Sequence, residues 1–390
     1  MSISPTARPR AALACALLFT AGVAGCGSAT TPPAVTSSPA TAAAAPLATT
    51  MTTASGVWAV VVMGGSAAQE NNFWQLFTVP AGGSQWSLVT PPAVADNGGL
   101  VTTADSGGTS QLQVAFRPSQ SLTFSPLAST ADGGHAWATG LLDAPIAADP
   151  DALAARGPSM LALLTDGTVE RSASSGASWS TLARPGAITA SAAGSRCRVT
   201  ALTAVSLTSS GTPLTGAACS APGSAGIFAY AQGTWRATGP ALTGSLASQP
   251  VRVLRLAGTA AGNTALLLAG SGGQARLYAA WTSDGAHWTV SPPFPTDGAQ
   301  VRSSGTGPGS LAWVMLANGR AVTVTGRSTS WRSLPDPPAG AAVLGVLPAG
   351  TVDALAVAGG NLTLFQLTGT PGTWSETQEI KVPIQYGSSS

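Results

Sequence analysis

The chain has 390 residues, enough for one large domain or two ordinary ones, and its 44% hydrophobic content can supply a substantial core. Charged residues make up only 8%, against roughly 25% in a typical soluble domain. The net charge of +2 comes from 17 basic and 15 acidic residues that form no run, which argues against nucleic acid as a partner. The 47 glycines and 29 prolines predict many turns and few amphipathic helices, although a GC-rich genome would give the same bias.

The first 26 residues have the pattern of an export signal. Two arginines precede an apolar stretch over residues 11–24, which is too short to span a bilayer as a permanent helix but suits the core of a signal peptide. It ends in Val23-Ala24-Gly25-Cys26, which resembles the lipobox of bacterial lipoproteins. That resemblance implies that residues 1–25 are removed and that the Cys26 thiol carries a diacylglyceryl group. The alternatives are an ordinary secretory signal with a chance cysteine and an uncleaved anchor helix.

Residues 26–54 are mostly Thr, Ala, Pro and Ser, with no aromatic or charged residue. Such a segment cannot bury enough apolar area to offset its ordering entropy. We therefore predict a lipidated, disordered tether that holds a folded domain, residues 55–390, at the outer face of the cell membrane.

Four cysteines are present, of which Cys15 lies in the signal and Cys26 is the predicted lipid site. Cys197 and Cys219 remain for the mature domain and are flanked by β-like runs, so in an oxidising compartment they predict one disulfide. A reactive thiol is the alternative. Neither histidine is near them in sequence, and we expect no metal site and no cofactor.

Tryptophan recurs in a fixed context: a small or polar turn, often with Gly, then Trp, then usually Pro a few residues later. The members are Trp86, Trp137, Trp179, Trp235, Trp288, Trp331 and Trp374. Their intervals of 42 to 56 residues match the period of β-propeller blades, which have four short strands each. Apolar runs between them, such as residues 352–358 and 361–367, predict strands. The predicted fold class is therefore all-β.

Turns before three of these tryptophans resemble Asp-boxes, the Ser/Thr-x-Asp-x-Gly-x-x-Trp hairpins of sialidases (BNR repeats), sortilin-type receptors and related propellers. Thr130, Asp132, Gly134 and Trp137 match every specified position; Ser174 replaces the Asp before Trp179; Asp284, one residue late, and Gly285 precede Trp288. In those families the carboxylate accepts backbone N–H bonds inside a peripheral turn. The resemblance thus implies structural rather than catalytic roles for these residues.

The repeat predicts seven blades of about four antiparallel strands. Before Trp86 there is room for only three strands, and residues 379–386 have strand character, so we predict that this C-terminal strand pairs into the first blade and closes the ring. Six or eight blades and a tandem of two-sheet sandwiches are the alternative architectures. A short helix is expected at residues 149–155.

A sialidase-like glycoside hydrolase is one function that the resemblance implies, because such enzymes combine an arginine triad with a Tyr–Glu pair and an Asp. Phe116-Arg117-Pro118 is the nearest match to their first arginine motif. The three tyrosines, Tyr230, Tyr278 and Tyr386, pair with no glutamate at a familiar spacing, and Arg252 and Arg255 are expected on opposite faces of one strand. We find no other catalytic motif and expect no catalytic residue.

A binding or scaffolding module is the function that the sequence favours, because propellers present a loop face around a central funnel. The longest predicted loops are residues 64–72, with the polar patch at residues 69–72, then residues 140–158 and 208–224. An envelope protein or a glycan is the expected partner of a monomeric chain. An assembly factor for a membrane complex, similar to photosystem-assembly propellers, is a further alternative that rests on analogy of fold alone.

Overall fold

The computed structural model describes residues 48–53, 56–63, 73–80, 83, 85–91, 101–105, 112–116, 123–221, 223–307, 310–326, 330–346, 352–358, 361–369 and 372–381. The described residues form mainly antiparallel strands, and in each four-stranded sheet consecutive strands pair as a meander. The first three sheets contain β1 (Ala48–Thr53), β2 (Gly56–Met63), β3 (Phe73–Pro80) and β4 (Ser87–Leu88); β5 (Val101–Asp105), β6 (Leu112–Phe116), β7 (Ser125–Thr130) and β8 (Ala138–Leu142); and β9 (Leu153–Arg156), β10 (Ser159–Leu163), β11 (Val169–Ser172) and β12 (Ser180–Ala183).

A nine-stranded sheet follows, and two four-stranded sheets complete the domain. The nine strands are β13 (Val199–Leu207), β14 (Pro213–Cys219), β15 (Ile227–Ala231), β16 (Thr234–Ala237), β17 (Val251–Thr259), β18 (Gly262–Ala269), β19 (Arg276–Thr282), β20 (Thr289–Val290) and β21 (Phe294–Pro295). The last sheets are β22 (Val301–Gly307), β23 (Leu311–Leu316), β24 (Ala321–Val324) and β25 (Arg332–Ser333), then β26 (Ala341–Val346), β27 (Val352–Ala358), β28 (Asn361–Thr368) and β29 (Thr373–Lys381).

The structure shows five separate four-stranded sheets rather than the seven that the tryptophan repeat predicts. The difference arises at one short contact: Ala218 and Cys219 of β14 pair with Arg252 and Val251 of β17, which merges the meanders β13–β16 and β17–β20 into one sheet. The repeat of four strands per tryptophan is thus present in the chain, but the hydrogen bonds of β14 cross from one repeat to the next.

The strand sequences are apolar because the middle strands of each sheet are covered on both faces. Every residue of β23 is buried, as is all of β10 after its first residue. The hydrophobic clusters lie between successive sheets; one joins Trp58 of the first sheet to Leu112 of the second. Another unites Phe77 of the first sheet, Trp313 of β23 and Leu355 of the last sheet. Because the last sheet packs on the first, the sheets form a closed, propeller-like arrangement.

The first sheet is completed at the N-terminal side of the chain, and the predicted closure by the C-terminal strand is wrong. Ala48–Thr53 form β1, which pairs with β2 from Ala48–Val61 to Thr53–Gly56. These residues lie in the segment predicted as tether, so the domain extends at least to Ala48. β29 pairs with β28 of its own sheet, and residues 382–390 lie outside the described part of the chain. These residues were assigned to the tether because they continue the Thr- and Ala-rich composition of the segment before them.

The helical segments are short and lie elsewhere than predicted. Residues 149–155 form no helix; they enter β9 at Leu153. Two short helices, α1 (Ala187–Ala190) and α2 (Ala192–Cys197), precede β13 instead, and the Ser191 hydroxyl caps α2 by accepting from the Gly194 N–H. Two 3-10 turns occupy Gly244–Ser248 and Gly272–Gln274.

Candidate functional site

The first strands of the four-strand meanders converge, and we call them the inner strands. They are β1, β5, β9, β13, β17, β22 and β26. Contacts join β26 to β1 and β22, β9 to β5 and β13, and β17 to β13 and β22. We call the side at which the inner strands begin the start rim. The first and second strands of a meander are antiparallel, so each second strand ends at this rim.

Charged side chains that bridge different inner strands form what we call the inner-strand cluster: Asp149, Asp151, Arg156, Arg252 and Arg255. At the start rim Arg252 Nη2 donates to Asp149 Oδ1 at 2.9 Å. Deeper along the strands, Arg255 Nη1 donates to Asp151 Oδ1 at 2.8 Å, and the Leu256 N–H donates to Asp151 Oδ2 at 2.7 Å. The aspartates precede β9 and the arginines lie on β17, so the ion pairs cross the centre where the inner strands meet.

A β-bulge puts the two arginines on the same face of β17, and the expectation of opposite faces is wrong. The pairing with β18 shifts between Val253 and Arg255, leaving Leu254 as an extra residue. Arg252 lies opposite Leu268 and Arg255 lies opposite Leu266. Because residues two apart on β18 share a face, the two arginines do as well. A residue pattern alone does not reveal a bulge, and this is why the sequence missed the site.

The far ends of the same strands are also linked. Arg156 Nη2, at the end of β9, donates to the Gly258 carbonyl of β17 at 2.6 Å. The Gly258 N–H donates to the Ser206 hydroxyl of β13 at 3.0 Å. The start of β17 is therefore linked to the residues that lead into β9, and the ends of β9, β13 and β17 are linked to one another. These three strands lie side by side and run in the same direction. A parallel bridge between Asp151 and Ala204 agrees with this.

The cluster is only partly exposed to solvent. The Arg252 and Asp149 side chains are 53% and 24% exposed, whereas Arg255 and Asp151 are each 20% exposed. Burial raises the pKa of Asp149 above its usual range, the Arg252 guanidinium lowers it by a smaller amount, and the nearby Asp151 charge adds to the rise. Arg255 also donates through Nε to the Ser304 hydroxyl of β22 at 3.2 Å. The chemistry offered is that of guanidinium donors beside carboxylate acceptors, which suits recognition of polar groups.

Asp353 is a second unusual carboxyl group and is the second residue of β27. It is 1% exposed, and neither of its carboxylate oxygens has a hydrogen-bond partner. Burial raises its pKa to about 7. The adjoining strands β1, β26 and β28 contain no charged residue that could balance its ionised form.

The turn before Trp137 contains the hydrogen bonds expected of its residues. Thr130 Oγ1 donates to Asp132 Oδ1 at 2.8 Å and accepts from the Gly134 N–H at 2.9 Å. Asp132 Oδ1 also accepts from the Ala136 N–H at 2.9 Å, and this bond, first among several, lowers the pKa of Asp132. The positive φ of Gly134 is one that glycine adopts without strain. All of these bonds close the turn on itself.

The turn before Trp288 begins one residue earlier than the sequence suggested. Thr282, not Ser283, supplies the hydroxyl that donates to Asp284 Oδ1 at 2.9 Å and accepts from the Gly285 N–H at 3.0 Å. His287 Nδ1 contacts Asp284 Oδ2 at 2.6 Å, which lowers the pKa of Asp284 and raises that of His287. In the turn before Trp179, serines replace these groups: Ser172 accepts from Gly176 N–H and Ser174 from Ser178 N–H, each at 3.0 Å.

In the last three repeats the tryptophan side chain bonds to the preceding repeat, a contact that the sequence did not reveal. Trp331 Nε1 donates to the Pro292 carbonyl at 2.9 Å, and Trp374 Nε1 donates to the Pro335 carbonyl at 3.3 Å. In both cases the acceptor lies four residues after the tryptophan of the preceding repeat. Trp288 donates likewise to the Thr238 carbonyl, three residues after Trp235. The Trp-to-Pro spacing thus supports a bond between neighbouring repeats at Trp331 and Trp374, whereas Trp179 donates to the Gly176 carbonyl of its own turn.

The residues named for a hydrolase are not brought together in the described part of the chain. Tyr278 is 6% exposed in a hydrophobic cluster, and Tyr230 contacts Trp235 with ring centroids 5.1 Å apart. Glu170 accepts from the Thr181 hydroxyl at 2.8 Å on an exposed surface. Arg117 and Tyr386 lie outside the described residues.

The cysteines of the domain are joined, and the N-terminal sites lie outside the described residues. Cys197, at the end of α2, forms a disulfide with Cys219 of β14, with Cα atoms 5.2 Å apart. Cys26 and the polar patch at residues 69–72 are not described. The predicted loop at residues 208–224 contains strand β14 (Pro213–Cys219). Within the described ranges no helix is long and apolar enough to cross a membrane, and no group of three or more His, Cys, Asp or Glu could hold a metal ion.

Comparison with known proteins shows which solved structures share this fold. No protein-family model and no curated protein matches the chain. A Bacteroides fragilis protein provisionally assigned as a 6-phosphogluconolactonase matches with TM-score 0.50 and 12% identity, covering 83% of this chain and 95% of that one. A Lactobacillus plantarum protein matches with TM-score 0.50 and 13% identity, covering 80% and 92%. YCF48 from Cyanidioschyzon merolae matches with TM-score 0.48 and 14% identity, covering 80% and 91%. At such identities the likeness is one of fold alone, an all-β propeller-like fold.

Proposed function

We propose that this chain is a binding or scaffolding module whose recognition site is the inner-strand cluster at the start rim. The observation that carries the proposal is the pair of ion pairs that Arg252 and Arg255 make with Asp149 and Asp151. Both ion pairs join residues of different sheets, and the bulge in β17 puts the two arginines on one face. The Arg252–Asp149 pair is also partly exposed to solvent. Guanidinium groups held in this way are pre-organised donors for a carboxylate or carbonyl of a partner.

Recognition fits the cluster better than hydrolysis does. Hydrolysis of the sialidase type needs a nucleophile beside a base. Among the described residues, Tyr230 packs on the Trp235 ring, and Glu170 accepts from the Thr181 hydroxyl. The carboxylates of the cluster are engaged by arginines, which holds them as acceptors of fixed geometry. The expected partner remains an envelope protein or a glycan, bound by a monomer.

We infer further that the module is a lipoprotein on the outer face of the cell membrane. The lipobox-like motif at Cys26 supports this, and the Cys197–Cys219 disulfide suits an oxidising compartment. Expression with radiolabelled palmitate tests it. The full-length chain and a Cys15→Ser variant should be labelled equally, whereas Cys26→Ser should lose the label. Labelling of the Cys26→Ser variant would refute lipidation at this residue.

We also propose seven blades, counting the two meanders of the nine-stranded sheet as separate repeats. The support is that each meander has its own inner strand and its own member of the tryptophan set. The turns before Trp137, Trp179 and Trp288 are then peripheral Asp-box-type turns with a structural role.

Site-specific photo-crosslinking in intact cells tests the recognition site. A photoreactive amino acid at position 252 should give discrete crosslinked adducts, because the Arg252 side chain is half exposed beside the proposed partner. The same amino acid at His135, which is exposed on a turn that closes on itself, is the matched control and should give none. Adducts at His135 and none at 252 would contradict the placement of the site.

A further inference from the structure

We propose that the boundary between the last and the first sheet opens and closes with the proton of the Asp353 carboxyl group. We call this boundary the closing seam. The proposal is independent of what the protein binds, and it concerns a local opening of the ring rather than unfolding of the whole domain.

The closing seam joins two four-stranded sheets that share no strand among the described residues. Strands β26 and β27 of the last sheet contact β1 of the first, and Leu355 clusters with Phe77 and Val79. Gln378 Nε2 of the last sheet donates to the Gly83 carbonyl at 2.6 Å. By contrast, the fourth and fifth meanders are joined by backbone pairing of β14 with β17. The described contacts at the closing seam are thus mainly apolar.

Polar atoms at the closing seam are incompletely paired. Trp86 Nε1 and Gln378 Oε1 are buried and have no hydrogen-bond partner among the described residues. At the boundary before it, Trp374 Nε1 donates to the Pro335 carbonyl. The closing seam therefore lacks the tryptophan bond that strengthens its neighbour. Boundaries with fewer such bonds open locally at a lower free energy than the whole domain unfolds.

The strand register places Asp353 on the face of the last sheet that is turned to the closing seam. Trp313 has the equivalent position in the preceding sheet: it pairs with Gly305 as Asp353 pairs with Gly345, two residues beyond the bulge of the inner strand in each case. Trp313 packs toward the last sheet, in a cluster with Leu344, whereas its neighbours in β23 cluster with the sheet before. The corresponding face of the last sheet is turned to the first sheet. An ionisable group therefore lies where the preceding boundary has an uncharged ring.

Nothing that packs on β27 balances an ionised Asp353. Strands β1, β26 and β28, which contact β27, contain no charged residue, and neither do β2, β3 and β4 of the first sheet. The charged residues of the last sheet, Glu376, Glu379 and Lys381, are on β29, and β28 separates that strand from β27. Burial accordingly raises the pKa of Asp353 to about 7. Opening of the seam admits water to the carboxylate and removes this cost.

The sign and size of the effect follow from proton linkage. The closed seam keeps the Asp353 proton up to a pKa of about 7, whereas a hydrated carboxyl loses it near 3.8. The open form therefore binds fewer protons between these values, and a rise in pH favours opening. From pH 5.5 to pH 8.5 the equilibrium constant for opening should rise about thirtyfold.

Hydrogen exchange of the full chain, followed by mass spectrometry, tests the proposal. Protection factors of peptides from β1, β26 and β27 should fall about thirtyfold from pH 5.5 to pH 8.5. They should also change little in dilute urea, because a local opening exposes little surface. Peptides from β10, in the third sheet, serve as the reference for whole-domain unfolding and should lose protection as urea is added. Equal protection and equal urea sensitivity of the seam and β10 would show that only global unfolding occurs and would overturn the proposal.

Two variants assign the effect to the carboxyl group. Asp353→Asn cannot ionise, so its seam peptides should lose the thirtyfold response, whereas Asp143→Asn, at an exposed carboxylate, should keep it. Asp353→Leu, which is similar in size and uncharged, provides the same test if the asparagine variant does not fold. A native-like pH response of the seam in either Asp353 variant would refute the role of this proton.

Discussion

The buried carboxyl of Asp353 predicts an unusual dependence of stability on pH. The native state retains the Asp353 proton up to a pKa of about 7, whereas the unfolded chain loses it near 3.8. Between these values the native state binds more protons than the unfolded state, so the free energy of unfolding falls as the pH rises. Ordinary paired aspartates have depressed pKa values and give the opposite slope.

The magnitude follows from the difference of about three pKa units. Each unit corresponds to about 1.4 kcal/mol, so ionisation of Asp353 should cost the native state about 4 kcal/mol by pH 8. This is an upper value, because water or a small rearrangement can relieve a buried charge. The strands that flank Asp353 offer no cation to offset it. An Asp353→Asn variant cannot ionise, and it should be more stable than the native chain at pH 8 and similar to it at pH 4.

Urea unfolding of both chains from pH 4 to pH 8.5 measures this effect. The difference in unfolding free energy between Asp353→Asn and the native chain removes the shared contributions of other titrating groups, such as Asp149 and His287. It should grow through the window from about pH 4 to about pH 7 and then level off. Asp143→Asn, which makes the same substitution at an exposed carboxylate, is the matched control. A flat difference for Asp353→Asn would refute the reasoning.

Two further predictions concern how the inner strands and the β14–β17 seam are held. Gly258→Ala should destabilise the domain by several kcal/mol, because a Cβ atom there would lie 2.0 Å from the Leu207 carbonyl oxygen; Gly273→Ala, with open space around it, should leave the melting temperature unchanged. Thermal unfolding compares the two, and equal melting temperatures would contradict the close approach of β13 and β17. Replacing Cys197 and Cys219 by Ser should cost about 3 kcal/mol, the loop entropy of a crosslink spanning 22 residues, in chemical unfolding without reductant. An unchanged unfolding midpoint would contradict it.

The fold class and most strands could be predicted from the sequence because the tryptophan repeat and the apolar runs are local signals. Residues 352–358 form β27 as predicted, and residues 361–367 lie within β28. The number of separate sheets could not be predicted in this way, because the merging of two meanders depends on two residue pairs between β14 and β17. The strand at Ala48–Thr53 was missed because it continues the Thr-, Ala-, Pro- and Ser-rich composition of the segment before it, and its pairing with β2 decides its structure.

The candidate site was the least predictable part. The sequence provided Arg252 and Arg255 but placed them on opposite faces, since the bulge at Leu254 leaves no mark in composition or spacing. Asp149 and Asp151 lie in the predicted recognition loop at residues 140–158, but neither aspartate was singled out, and the stretch around them was also interpreted as a short helix. Their partners are about a hundred residues away, and no local pattern links residues at that separation. Cys26 and its lipid remain predictions.

The placement of ion pairs in so weakly charged a chain favours a role in recognition over one in stability. The Arg255–Asp151 pair is four-fifths buried, and replacing such a pair with well-packed apolar residues is often neutral or stabilising. The surrounding strands are rich in apolar residues, so a stable core could form at this position without charged side chains. The bulge that turns Arg255 to the face of Arg252 also interrupts the β17–β18 hydrogen bonds. A feature that costs hydrogen bonds and desolvation at the centre of the sheets therefore agrees with the proposed recognition role of the start rim.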